Sequence, residues 1–403
     1  MPEPPNSEIA VEPLVRRPEI SRALVWLEAG AERFVEQITE VSQIPAPTFA
    51  EERRAEYVAR RLVELSVEQI HSDETGNVLG CLSGDAPGPG LAVIAHLDTV
   101  FGAGIDVSVS RQQDRLYGPG ISDNGAGVAG VLLMLEALRV AGVRPARPLW
   151  LVFSVGEEGL GDLRGARAAV RDLASRVDQV IAVEGALLGR VTHEGVGSRR
   201  WRVSFRGPGG HSWHDFGRPS AINAAARAVA AITSLDAPSD PRTTYNVGRI
   251  EGGMGVNVIA AEASLLLDMR STGAGALRDL AGRAEAAIRD EAQREGVEVQ
   301  FDTVGDRPAG AIAREHPLVQ ASAAVLTFLG LQPRFEAAST DANIPLSQGI
   351  PAVTVGITHG GGVHTEGEWI EIPPATLGVR QLLLLVASLS SSSSAVRHQP
   401  PGA

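Results

Sequence analysis

The chain has 403 residues, 44% hydrophobic and 21% charged, which describes a soluble globular protein too long for one ordinary core, so two domains are expected. Its net charge of −12 argues against a general nucleic-acid surface, and its single cysteine, Cys81, excludes an intrachain disulfide and calls for no oxidising compartment. Lysine is absent from the sequence, which excludes a lysine Schiff base and the P-loop lysine.

The first residues, MPEPPNSEIAVEPLV, lack a basic region followed by an apolar core. No secretory signal is expected, and a cytoplasmic location is. The Pro- and Glu-rich residues 1–20 and the Ser-rich tail 391–403 are expected to be disordered. AERFVEQITEVSQI and EERRAEYVARRLVEL carry helical periodicity. LAVIAHLD, LWLVFSV and QVIAVEG are short β-rich runs, and NGAGVAGVLLMLEALRVAG is a helix apolar enough to be buried. Strands alternating with helices predict an α/β domain with a mostly parallel sheet flanked by helices. From 196 to 308 the order changes to β-α-β-β-α-β, the pattern of a small α+β domain, with NVIAAEASLLLDMRS read as one strand. HPLVQASAAVLTFLG, AVTVGI and PATLGVRQLLLLVAS then return to helix, strand and helix. The small domain is therefore expected as an insertion, 196–308, into a catalytic domain made of 21–195 and 309–390. The longest apolar runs, such as GVRQLLLLVASL, fall short of a membrane span.

Residues with ligating chemistry gather where strands end. His96 and Asp98, two apart at the end of a strand, share one face, and a metal-binding imidazole commonly has a carboxylate partner. The competing reading is a turn with a solvated Asp98. Asp123 lies in the Gly-rich YGPGISDNGAG, where it also reads as a helix N-cap. Glu157 and Glu158 close the next strand, Glu184 follows another, and His364 comes after a late Gly-rich turn. In open α/β sheets, sites collect at the carboxyl ends of strands. Two imidazoles and several carboxylates on one edge need cations to offset them. This donor set suits zinc, with cobalt or manganese as alternatives.

These segments, AHLDTV, YGPGISDNGAG, VGEEGLG, AVEGA, GGHSWHDFGRPSAINAA, GGMGVNVIAAEASLLLDMRS, STDANIPLSQGIPAVTVG and HTEGEW, resemble in order and spacing the dizinc exopeptidase family. That family includes glutamate carboxypeptidase, peptidase T, aminoacylase and succinyl-diaminopimelate desuccinylase. The resemblance covers nearly the whole chain apart from its two tails. It implies that His96 and Glu184 bind one divalent metal, Glu158 and His364 a second, and that Asp123 bridges both. It implies Glu157 as general base for a metal-bound water and Asp98 as the residue orienting His96. It makes the inserted domain a lid and dimerisation domain, with His211 reaching the other subunit's site and Asn257 and Arg270 contacting substrate. Arg270 would hold a substrate carboxylate; the plainer alternative is a salt bridge to Asp268. His214 competes with His211, and His359 lies close enough to His364 to be mistaken for it. Thr340, Asp341 and Asn343 match a loop near the site.

The expected protein is a homodimeric dizinc hydrolase of short peptides or N-acyl amino acids, without nucleic-acid or membrane partners. One departure is Asn124 after the bridging aspartate, since SDNGAG also resembles a sister family of dizinc aminopeptidases that lacks the inserted domain. That aminopeptidase and a catalytically dead metal-binding scaffold are the alternatives.

Overall fold

The computed structural model describes residues 11–391. The four apolar runs become strands Leu149–Ser154, Gly90–His96, Val177–Glu184 and Ala352–Gly356, parallel and adjacent in that order. Every residue of the first two is buried, which explains why their sequences are continuously apolar rather than alternating. The expectation of a mostly parallel sheet flanked by helices holds at this centre. Further strands extend the sheet to nine. Val78–Leu82 and Glu68–Ser72 pair antiparallel beyond Leu149–Ser154. Arg190–Gly195 and Gly310–Ala311 pair antiparallel beyond Ala352–Gly356, and Arg334–Ala338 lies parallel to Arg190–Gly195.

The helix Ala126–Ala141 packs among helices Pro18–Glu28, Ala31–Ser42 and Ala375–Ser391 and the central strand Gly90–His96. The stretch Ile121–Ala141 is long and apolar enough to cross a membrane, yet 83% of its apolar window is buried inside the protein. It is a core helix.

The N-terminal expectation needs correction. Val11–Val15 and Pro18–Glu28 are helices, and Val11, Leu14 and Ile20 are buried. Apolar residues spaced three apart place Val11 and Leu14 on one face, and that helix packs on Ala375–Ser391. Pro18 suits a helix start, where its missing N–H costs nothing. The rest of the two expected tails, residues 1–10 and 392–403, lies outside the described residues.

Between the two passages through the large sheet, the chain builds a separate four-stranded antiparallel sheet. Its spatial order is Thr243–Gly252, Glu262–Ser271, Gly197–Arg206, Glu298–Arg307. Helices Ala221–Thr233 and Ala274–Glu295 cover one face, onto which Trp201, Val203, Phe205, Leu265, Leu267 and Met269 alternate inward. The other face carries the polar alternates. The stretch expected as one strand over 257–271 is two, because Val258–Ile259 leaves the sheet to pair with Gly210–His211.

Candidate metal centre

Three strand ends and two loops converge at the carboxyl edge of the parallel strands. His96 is the last residue of its strand. Its Nε2 lies 3.0 Å from Oδ1 of Asp123 and 3.6 Å from Oε2 of Glu184, the last residue of the neighbouring strand. His364 approaches from the other side, with Nε2 3.2 Å from Oδ2 of Asp123 and 3.1 Å from Oε1 of Glu158. Asp123 thus offers a different oxygen to each imidazole. Three groups have ligand atoms within 4.8 Å of one another: His96, Asp123 and Glu184; Asp123, Glu158 and His364; and His96, Glu157 and Glu158. The structure therefore brings together all five residues expected as ligands and the one expected as base. The cleft they border has a volume of about 200 Å³ and is also lined by Thr340 and Val363.

Buried polar contacts hold the loops in place. Asp98 is fully buried, accepting from the backbone N–H groups of Glu157 at 2.9 Å and Glu158 at 3.0 Å and from the Thr48 hydroxyl at 2.9 Å. Its carboxylate is 3.6 Å from Nδ1 of His96, which lies nearer, 3.1 Å, to the Asp98 main-chain carbonyl. The carboxylate thus neighbours His96 beyond hydrogen-bond distance while it aligns the glutamate pair. The loop bearing Asp123 turns at Gly120, with φ +71°, and the Asp123–Asn124 peptide bond is cis. Asn124 is buried and donates to the Val183 carbonyl at 2.8 Å, tying this loop to the strand that carries Glu184. A Cβ on Gly185 would lie 1.9 Å from the Ser122 carbonyl oxygen, so glycine is what lets the two loops close.

Two residues that sequence reasoning missed take part. Glu368 is fully buried and accepts from the N–H groups of Gly120 at 3.1 Å, Ser122 at 2.7 Å and Asp123 at 2.6 Å. It lies four residues after His364 in HTEGEW, so one loop both supplies an imidazole and clamps the Asp123 turn. Arg307 reaches from the end of the smaller sheet. Its Nη1 donates to Oε1 of Glu157 at 2.9 Å and to the Ser339 hydroxyl at 3.1 Å, and its Nη2 donates to the Glu157 carbonyl. The run VEVQFDTV reads by itself as a strand that stops at residue 304, but the strand continues to Arg307, and only that extension delivers the guanidinium.

The electrostatics show what the cluster lacks. Burial pushes Glu157 and Glu184 up to about 7 and Glu158 up to about 8; repulsion from Asp123 adds to this, while neighbouring cations pull back. Burial would also raise Asp123, but hydrogen bonds from His364 and His96 outweigh it and hold that carboxyl well below the usual range. Burial opposes charge on His96, yet its contacts with Asp123, Asp98 and Glu184 raise it; bonding to Asp123 raises His364 to about 9. Carboxylates that cannot all ionise against two imidazoles form a donor set short of positive charge, which divalent cations would supply. The donors are imidazole nitrogen and carboxylate oxygen without thiolate, and Cys81 lies buried in the strand Val78–Leu82.

Of the residues expected to meet substrate, Arg270 lies on the smaller sheet, while His211 and Asn257 lie at the separate pairing of Gly210–His211 with Val258–Ile259. His211 is exposed; Trp213 N–H donates to its Nδ1 at 3.2 Å, and its ring centroid is 4.8 Å from that of His214. Asn257 is exposed, its carbonyl accepting from Ser212 N–H at 3.0 Å. Arg270 pairs with Asp268 at 2.7 Å, the plainer of its two expected readings, with its side chain 44% exposed. The register nonetheless sets Arg270 opposite Ser198, and Ser198 opposite Arg307, on three adjacent strands. Cross-strand partners share a face, so Arg270 lies on the polar face about 10 Å from the strand whose arginine touches Glu157. Thr340 bonds the Thr354 hydroxyl at 2.7 Å, and Asp341 accepts from Ser154 at 2.5 Å. Asn343 donates to the carbonyls of Val196 and Pro308, both at 2.9 Å, and pins the two crossings between the sheets. Elsewhere His193 bonds the Ile312 carbonyl, His316 caps the helix Pro317–Phe328, and His71 and His359 are exposed.

With this geometry in view, residues 92–388 match the sequence profile described as Peptidase family M20/M25/M40. The chain is 22% identical over 371 residues to the YqjE protein of Bacillus subtilis strain 168, covering 84% of this chain and 94% of that one. Its fold is similar to that of a tripeptidase from Staphylococcus aureus, with a TM-score of 0.78, 22% identity and coverage of 90% of this chain and 99% of that one. It is also similar to the YXEP protein of Bacillus subtilis, described as a dinuclear metal binding peptidase from the M20 family. There the TM-score is 0.68, with 15% identity and coverage of 90% and 98%.

Proposed function

Because this chain belongs to the peptidase family M20/M25/M40, and is therefore a hydrolase acting on peptide or amide bonds, we propose that it is a two-metal exopeptidase or amidohydrolase of short peptides or N-acyl amino acids. The observation that carries this reading is Asp123, which presents Oδ1 to His96 at 3.0 Å and Oδ2 to His364 at 3.2 Å. In this proposal His96 and Glu184 hold one cation, Glu158 and His364 the other, and Asp123 both. Zinc suits the donors best, with cobalt and manganese as alternatives. When bound, the two cations would polarise the scissile carbonyl and lower the pKa of the attacking water.

The chain's own residues do the rest. Glu157 takes the proton from the attacking water and returns it to the leaving amine. Arg307 engages only Oε1, so Oε2 of Glu157 carries no hydrogen bond among the described residues and is available for that proton. Asp98 fixes the glutamate backbone, so Glu157 and Glu158 diverge into separate roles. Arg270 and Asn257 are assigned to the substrate's carboxylate end, which needs Arg270 to exchange Asp268 for the ligand.

Residues 21–195 and 309–390 form the catalytic unit of this proposal, and 196–308 a lid through which two copies pair. Support for pairing comes from the open edge strand Thr243–Gly252 and from the exposed Ile222, Ile250, Met254 and Val256 beside it. His211 then serves the partner's cleft as a donor to the developing oxyanion. A cytoplasmic location fits the lone buried Cys81.

The test is a hydrolysis screen of metal-loaded protein against dipeptides, tripeptides with free or amidated C-termini, and N-acyl amino acids. Turnover should weaken strongly on amidation, and Arg270→Ala should erase that preference. A protein that holds two cations yet cleaves none of these is the scaffold of the alternative reading.

A further inference from the structure

Beside the metal cleft lies a second cavity of about 300 Å³, lined by Arg190, Arg334, Gln332, His359, Ala186 and Gly360 among others. Ala186 also lines the metal cleft. The partition is thin, since a Cβ placed on Gly360 would be 3.1 Å from both the Ala186 methyl and the Ser122 hydroxyl. Arg190 lies six positions after Glu184, at most about 20 Å of extended chain, and the bond from Arg190 N–H to the Leu187 carbonyl folds that segment tighter.

Arg334 and Arg190 are direct register partners on adjacent parallel strands. Like charges set opposite one another in a sheet repel. Relief from within the chain is small. Glu336 approaches only Arg190, at 3.2 Å, with the Arg190 side chain 45% and the Glu336 side chain 28% exposed, so solvent screens that pair. The Arg334 guanidinium has no hydrogen bond or ion pair among the described residues; only its backbone N–H is engaged, by the Gly189 carbonyl. His359 adds an exposed imidazole to the same lining, and Gln332 a neutral donor. On a chain of net charge −12, two guanidiniums at a cavity against a single partly exposed carboxylate leave a local excess of positive charge. Planar forked donors of this kind match a carboxylate.

We propose that this cavity is an anion subsite that receives a second carboxylate of the substrate, read by Arg334 and Arg190, which rests on the hydrolase reading above. The substrate class is then a short peptide or N-acyl amino acid carrying an acidic group several bonds from the scissile amide. A free anion such as phosphate shares the recognising chemistry, and the two sources are told apart by competition with substrate.

The experiment uses the full metal-loaded chain, with Arg334→Ala, Arg190→Ala and the double variant. Substrate pairs differing only by glutamate against glutamine, or aspartate against asparagine, at each position are compared by kcat/KM. The acidic member should be preferred about tenfold or more, the preference should sit mainly in KM, and Arg334→Ala should remove most of it. Glutarate should inhibit competitively, with its inhibition constant raised about tenfold by Arg334→Ala. An acidic preference unchanged in the double variant overturns the proposal, as does glutarate or phosphate that binds at these arginines without competing with substrate. In a protein that hydrolyses no amide the hydrolase reading falls first. Calorimetric glutarate binding weakened by Arg334→Ala would still uphold the anion site, and binding untouched by that substitution overturns it.

Discussion

Arg307 and Glu157, 150 residues apart in sequence, form a buried ion pair, Nη1 to Oε1 at 2.9 Å, with their side chains 6% and 8% exposed. The pair joins the end of the smaller sheet to the glutamate that follows a central strand of the larger one. Removing one member of such a pair strands the other charge away from water, at about 3–5 kcal/mol. Arg307→Met should therefore lower unfolding stability by roughly that amount. It should also move the acidic limb of the pH–rate profile to higher pH, because Arg307 partly offsets the burial that raises Glu157. Denaturant unfolding and a kcat profile check the two halves. An unmoved limb would separate Arg307 from the proton-handling step.

The glutamate pair separates chemistry from ligation. Glu157→Gln should leave the metal content near two ions per chain and cut kcat by about 10²–10⁴-fold or more, since the group serves both proton transfers. Glu158→Gln should lower metal affinity together with rate. If Glu157→Gln loses metal while Glu158→Gln keeps it, the roles are reversed.

Asp123 tests the shared ligand. Its two oxygens face two imidazoles, so Asp123→Ala should weaken both cation sites in a single step of metal titration. Metal content that stays unchanged, or falls by only one ion, would sink the bridging assignment.

Metal-stripped protein should lose stability as pH rises. Glu157, Glu158 and Glu184 have folded values of about 7, 8 and 7, above the ordinary carboxyl range, so the folded state binds more protons than the unfolded state between roughly pH 4.5 and 8. His364, raised to about 9, works in the same direction, since its stabilisation is present below its unfolded value and is lost through the folded one. Tm with chelator should therefore fall from pH 6 to pH 9, and divalent cations should raise it more at pH 8 than at pH 6. A Tm that climbs with pH would show that burial does not govern these groups.

His211 tests the proposed assembly. Inactive His211→Ala chains mixed with inactive Glu157→Gln chains should recover activity once subunits exchange, because one hybrid cleft would hold an intact glutamate and an intact imidazole. A fully active monomer by sedimentation would rule out action across subunits.

Much of the site was legible because its chemistry sits at strand ends. Period and composition locate Gly90–His96, Leu149–Ser154 and Val177–Glu184, and the residues that close them are the ones that converge. Arg307 was not legible. Its strand mixes polar and apolar residues, reads as ended near residue 304, and passes a register shift between Thr303 and Gly305. Glu368 lay inside a quoted motif, but nothing local marks a carboxylate whose partners are three backbone N–H groups some 245 residues away. The edge strands Glu68–Ser72 and Arg334–Ala338 escaped because exposure removes the apolar signal.

The sequence by itself determined the fold class, the β-α-β-β-α-β order and the residue types able to bind cations, since these follow from short-range periodicity and from which side chains carry imidazole or carboxylate. Tertiary structure alone decided the pairings: which oxygen of Asp123 faces which histidine, which arginine holds Glu157, and that Arg190 and Arg334 lie side by side at a cavity. The physical reason is range. Propensity and alternation act over a few residues, whereas burial, ion pairing and strand register depend on segments far apart in the chain that meet only once the core has closed.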